Sequence, residues 1–158
     1  MAGAPALARP MRELADALDH AGVPSQVLDS EADVMWSKLV RLNALACTTS
    51  AYDKLLGEIR STPELRADLV ATMEEAAAAG RAEGADVDAE SAIAELDRAH
   101  DTLGSSMQRD IAAGRTPELD AIPGSVMRAA ARHGLPYPTI ERLVTIIAAR
   151  AGIDPPAV

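Results

Sequence analysis

The chain has 158 residues, 48% of them apolar, with one Trp, two Tyr and no Phe, which is enough for one domain whose core is built from Leu, Ile, Val, Met and Ala, a palette that suits close-packed helices better than a sheet. Twenty-four acidic against fifteen basic residues leave a net charge of −9, which repels phosphate backbones and sets nucleic acid aside as a partner. No apolar run approaches the roughly 20 residues of a membrane span, the first ten residues lack the apolar centre of a signal peptide, and the single cysteine, Cys47, has no partner for an intrachain disulfide, which together point to a reducing, cytoplasmic compartment.

In chain order, residues 7–21 place Leu7, Met11, Leu14 and Leu18 near helical spacing, and Gly22 followed by Pro24 ends that helix. The short piece at 23–29, centred on Val27 and Leu28, is the one segment that hints at a strand. Ser30 is placed to cap the next helix, with Asp33 three residues on. Over residues 31–49 one stripe runs through Met35, Leu39, Leu42 and Ala46 and another through Trp36, Val40, Asn43 and Cys47, so this helix is expected to be central and buried. Residues 50–61 read as a turn and a short helix. A long helix over 62–84 starts with Thr62 as N-cap and Pro63 at its first position, and Gly84 closes it. A further amphipathic helix is expected over 88–104 through Ile93, Leu96 and Leu103, then a helix opened by Ser105 and Ser106, and two more over 125–134 and 138–152. The tail 153–158 should be loose. The expected fold class is all-α, with no internal repeat.

Few residues offer chemistry. Lys38 stands among apolar neighbours, Val34 and Leu42 one turn away. Desolvation there could lower its pKa and fit it to donate a proton or polarise a carbonyl, or its stem could snorkel to water from the helix edge. Ser105 and Ser106 are plain N-cap residues or, at a helix N-terminus with free N–H groups, holders of a substrate carboxylate. Glu118, behind Thr116 and Pro117, is a first-turn acid of the next helix or a catalytic carboxylate, and Asp120 is a weaker candidate of the same kind. His20, His100 and His133 fall in different helices with no pair at metal-ligand spacing, so no metal is expected. Cys47 and Trp36 read as core. No GxGxxG, P-loop or GxSxG occurs.

The stretches DVMWSKLVRLNALACTTSA and SSMQRDIAAGRTPELDAIPGSVMRAAARHGLPYPT, in that order, resemble the C-terminal domain of the ketopantoate reductases (2-dehydropantoate 2-reductases) over about residues 30–150. The resemblance implies a multi-helix bundle like the C-terminal domain of 6-phosphogluconate dehydrogenase, joined in the intact family enzyme to an N-terminal Rossmann domain that binds NADPH. It implies that Lys38 protonates or polarises the keto oxygen, that Ser106, with Ser105 and Asn43, holds a small 2-keto acid, and that Glu118 lines the cleft as a second catalytic group. Where the family commonly carries Asn four and eight residues after the lysine, this chain has Leu42 and Ala46, with Asn43 about 100° round the helix. Leu103 stands where a polar residue is common, and Pro117-Glu118-Leu119-Asp120 replaces Thr-Glu-Ile-Asp.

In this light residues 1–29 read as the remnant of a nucleotide-binding domain, 30–152 as the helical substrate-binding domain and 153–158 as a tail. The cofactor-binding residues cannot be named in this chain, which on its own is expected to bind no NADPH and to be inactive as a reductase. Its expected partners are a missing or separately encoded Rossmann domain and a second copy in a dimer, with neither nucleic acid nor membrane. The alternative is a non-enzymatic helical module for dimerisation or small-acid binding.

Overall fold

The structure, a computed structural model, describes residues 5–25, 27 and 30–158, with the side chains of residues 5–9 outside the description. In chain order the elements are α1 (Pro5–His20), α2 (Glu31–Tyr52), α3 (Leu56–Ser61), α4 (Pro63–Ala82), α5 (Ala89–Arg98), α6 (Ser106–Ala112), a π turn (Asp120–Gly124), α7 (Ser125–Arg132) and α8 (Pro138–Ala151). The fold is all-α, as the composition and periodicity imply, and there is no strand among the described residues. The strand expected at 23–29 is not found at residues 23–25 and 27, and Gln26, Leu28 and Asp29 lie outside the described residues. No helix is long and apolar enough to cross a membrane, among the described residues.

The helix ends follow local chemistry at several sites. Ser30 Oγ accepts the Asp33 N–H at 3.3 Å and starts α2. Asp53, at φ 53°, stops it in the left-handed conformation that Asp tolerates better than most residues. Thr62 stands at the N-cap position of α4 as expected, but its side chain makes no cap bond. Pro63 at the first turn, which has no N–H to satisfy, carries that end instead.

α2 and α4 run through the centre, with α5, α6, α7 and α8 around them. Both central helices are rich in small buried side chains, Ala44, Ala46 and Cys47 on α2 and Ala76, Ala77, Ala79 and Gly80 on α4. Gly80 takes the Trp36 ring, and a Cβ there would lie 3.0 Å from Trp36 Cε3 and 2.9 Å from Val87 Cγ2. The small-residue composition thus appears in the fold as close helix approach.

Two expectations are corrected. α2 is buried along one stripe in its first half and nearly all round only in its second. Its first turns leave Val34 and Met35 exposed, because the elements packed on α2 meet its inward stripe of Trp36 and Val40 and then all of residues 46–51. The helix expected over 88–104 ends at Arg98. Arg60 Nη1 donates to the last-turn carbonyls of Leu96 and Asp97 at 2.6 and 2.7 Å, which satisfies that end. The loop beyond turns its own carbonyls to α3: the N–H groups of Leu56 and Gly57 donate to Leu103 O and Asp101 O, both at 2.9 Å. The non-local contact fixes where α5 stops.

α8 is capped from another helix. Tyr137 at its N-cap position makes no cap bond. Glu75 of α4 supplies both carboxylate oxygens to the N–H groups of Thr139 and Ile140, each at 2.9 Å. A carboxylate at a helix N-terminus is favoured by both the free donors and the dipole. Among its described side chains α1 contributes none to the core, and its Met11, Leu14 and Leu18 are exposed.

Candidate functional site

Lys38 projects from the first half of α2 and is exposed. It lies between two grooves and lines both. The larger, about 510 Å³, runs between α2 and the π turn with α7, where Ala121 and Ile122 face Met35, Leu39 and Leu42. The smaller, about 290 Å³, runs between α2 and the end of α5, with Leu96, Ala99 and Leu103 opposite Leu42 and Leu45. Lys38 and Leu42 therefore form the ridge that separates the two grooves.

The other cations at the grooves are spoken for. Arg128 Nη1 pairs with Asp120 Oδ1 at 2.7 Å, Arg132 Nη2 with Glu83 Oε1 at 2.8 Å, and Arg41 with Glu95. Arg132 and His133 together hold the Glu83 carboxyl below the usual carboxylate range, Arg132 contributing most. Lys38 makes no ion pair among the described residues, so its ammonium is available to a ligand.

The two serines are unlike each other. Ser105 is the N-cap of α6, buried, with its Oγ accepting the Gln108 N–H at 3.0 Å. Its hydroxyl also meets Thr49 Oγ1 at 2.8 Å and lies 3.4 Å from Ser50 Oγ. Thr49 Oγ1 is the donor toward both the Leu45 carbonyl, 2.6 Å away, and Ser105 Oγ, so Ser105 Oγ, which also accepts the Gln108 N–H, is held inside a buried hydroxyl cluster. Ser106, the first residue of α6, is exposed. Thr49 is eleven residues beyond Lys38, so the Ser105 anchor lies roughly 17 Å further along α2.

Glu118 is exposed and sits between α6 and the π turn, its backbone carbonyl accepting the Ile122 N–H at 3.0 Å. Ser105, Ser106 and Glu118 line neither of these two grooves. The stretch that contains them is nonetheless tied to both. Leu103, two residues before it, walls the smaller groove, and Ala121 and Ile122, near its end, wall the larger. Asn43 turns inward and lines neither groove. It is fully buried, its Oδ1 accepts from Cys47 Sγ at 3.6 Å, and its Nδ2 has no hydrogen-bond partner among the described residues. Cys47 is buried beside it, its thiol pushed up to about 12 by burial first and the Glu75 carboxylate second, which makes it an inert core residue. No cluster of His, Cys, Asp and Glu could hold a metal ion, among the described residues.

Two features at the grooves escape a reading by pattern. The π turn arises because Pro123 has no N–H for an α-helical bond, and the next donor, Gly124 N–H, reaches back five residues to Leu119 O at 3.0 Å. Its signal is the Pro-Gly pair directly before a helical run. Arg128 and Arg132 reach the larger groove together because they are four apart on α7, a spacing readable as one face.

Comparison with known proteins adds a family. Residues 32–151 match the model of the ketopantoate reductase PanE/ApbA C-terminal domain. A 2-dehydropantoate 2-reductase of Caulobacter vibrioides is 30% identical over 135 residues, which cover 84% of this chain and 46% of that protein. Among solved structures, a PanE/ApbA family ketopantoate reductase from Ralstonia eutropha JMP134 superposes with a TM-score of 0.76 at 26% identity, covering 89% of this chain and 48% of that one. The ternary structure of D-mandelate dehydrogenase with NADH and anilino(oxo)acetate superposes with a TM-score of 0.83 at 19% identity, over 95% of this chain and 64% of that one, a likeness of fold. The chain spans about half the length of the curated relative it matches.

Proposed function

The chain belongs to the ketopantoate reductase C-terminal family, and from that premise we propose that it is the substrate-facing half of an NADPH-dependent 2-keto acid reductase, of the type that converts ketopantoate to pantoate. One observation carries this. Lys38, exposed and without an ion pair among the described residues, is common to two grooves whose far walls are Leu103 and Ala121 with Ile122, residues at either end of the serine-to-glutamate stretch.

The described residues offer no pyrophosphate cradle. No strand leads into a glycine loop at a helix N-terminus among them, and the left-handed glycines Gly22, Gly84, Gly114, Gly134 and Gly152 all follow helix C-termini. The dinucleotide is assigned to a nucleotide-binding half outside the described residues, where NADPH would supply the hydride. This chain's residues do the rest. Lys38 donates a hydrogen bond to the keto oxygen and gives up a proton as negative charge develops there. Ser106, whose hydroxyl is exposed but lies off both grooves, is assigned to the substrate carboxylate on the family pattern alone. Ser105, buried and accepting from both Thr49 and the Gln108 N–H, fixes the start of α6 so that Ser106 is presented in one place. Glu118 closes the pocket from the segment that follows. Asn43, with its side chain in the core, supports α2.

The exposed apolar side of α1, with Met11, Leu14 and Leu18, is assigned to contact with the nucleotide-binding half or, in a dimer, with a second copy. The protein is placed in the reducing cytoplasm, where a single buried thiol is stable.

The test is a nicotinamide absorbance assay with ketopantoate. The chain alone should consume no NADPH. Joined to its nucleotide-binding half it should turn over, and Lys38→Met should lower kcat by roughly 10²–10⁴-fold. A Lys38→Met enzyme that keeps its full rate would remove the proposed acid.

A further inference from the structure

The smaller groove has a lining that selects among acids. Leu42 and Leu45 form one wall, and Leu96, Ala99 and Leu103 the other. The remaining lining groups are Lys38, Arg41 and Glu95. Arg41 and Glu95 are paired with each other, which leaves Lys38 to meet a charge or dipole arriving from solution. No hydroxyl or amide side chain lines this groove.

A ligand can rest a carbonyl or carboxylate oxygen on Lys38 and its carbon chain on the leucines. A hydroxyl set against the leucine walls would leave water with only apolar neighbours, because the polar lining is Lys38, engaged by the acid, and the Arg41–Glu95 pair, a cost that a methyl group in the same place does not bear. Resting on the assignment of the chain to the substrate-facing half of a reductase, we infer that the groove takes the side chain of a branched aliphatic 2-keto acid without a hydroxyl, and that Leu42 and Leu103 set this preference. The volume, about 290 Å³, lies at the small end of ligand sites, roughly 300–1,000 Å³, as suits so small an acid. Leu103 sits in the loop whose carbonyls cap α3, and Leu42 on the ridge of α2, so both walls are held by the framework.

The experiment is a methyl-detected NMR titration of the full chain with 3,3-dimethyl-2-oxopentanoate, which carries a methyl where 2-dehydropantoate carries its hydroxyl, and, separately, with 2-dehydropantoate. Both acids should perturb the leucine methyls of the smaller groove, and the unhydroxylated acid should bind roughly 10–100-fold more tightly. Leu42→Asn should narrow that ratio by about tenfold. Leu103→Thr, on a different element, should act in the same direction and serves if Leu42→Asn does not fold. Equal affinities, or tighter binding of the hydroxylated acid, would overturn the preference and leave the reductase assignment standing. If neither acid perturbs the groove, or if Lys38→Met binds both as well as the unaltered chain, the preference and the assignment of Lys38 both fall.

Discussion

The hydroxyls of Ser105 and Thr49, 56 residues apart in sequence, meet at 2.8 Å in the interior and fasten α6 to the second half of α2. Ser105 also caps α6, so one side chain sets both the start of a helix and its place. Ser105→Ala should therefore cost about 1–2 kcal/mol of stability, the upper part of the range for a lost cap. Ser106→Ala, at an exposed position, should stay within about 0.5 kcal/mol while weakening acid binding. Urea midpoints for the two variants test the division, and equal losses would show that the serines are not separated in role.

Gly80→Ala probes the α2–α4 seam. Its Cβ would press on Trp36 and Val87 at 3.0 and 2.9 Å, and a packed interior has no slack for it. A loss of about 1–3 kcal/mol is expected. Trp36 is the chain's one tryptophan, so its emission should shift with the substitution. A variant with unchanged midpoint and spectrum would mean that the two helices do not approach as closely as described.

Glu75→Ala should uncover the first turn of α8. The Thr139 and Ile140 N–H groups lose their acceptors, and their hydrogen exchange should accelerate together with a stability loss of about 0.5–2 kcal/mol. Glu75→Gln keeps one acceptor oxygen and should recover part of the loss. Exchange rates that do not move in either variant would place the cap elsewhere.

Cys47 predicts a pH response. Its thiol is raised from 9.0 to about 12 by burial and by Glu75, so at pH 8 the native thiolate fraction should be about a thousandfold below that of an ordinary thiol. The folded state holds this proton more tightly than the unfolded state. Its contribution to stability is then fully present below about pH 9 and is lost as the pH rises toward 12. Thiol labelling should be negligible in the native protein and should follow unfolding by urea. Rapid labelling without denaturant would contradict the burial.

Much of the helical framework was legible from local signals, because caps act over three or four residues. Ser30, Gly22, Gly84, Pro63 and Pro138 mark ends within a residue or two of those observed. The features that pattern did not give are those decided across the chain. α5 stops at Arg98 because Arg60, thirty-eight residues earlier, takes its last carbonyls. α8 is capped from α4 and not from its own sequence. Lys38 looked interior because its neighbours are apolar, yet those neighbours include Val34, itself exposed. The sequence offers the residue types of the proposed site, and packing adds that Ser105 is buried against Thr49 and that Asn43 turns inward.

The π turn has a bearing on how this chain can change over generations. A π turn is a helical path that accommodates one surplus residue, here just where Ala121 and Ile122 meet a groove whose other lining includes Arg128 and Arg132. Deleting a single codon within Asp120–Gly124 would regularise the path and shift the parts on either side by about 100° of helical phase. Either the groove wall or the arginine pair would then face the wrong way. Insertions and deletions at this turn should therefore be far rarer among working descendants than substitutions, even though the segment looks, letter by letter, like an ordinary loop.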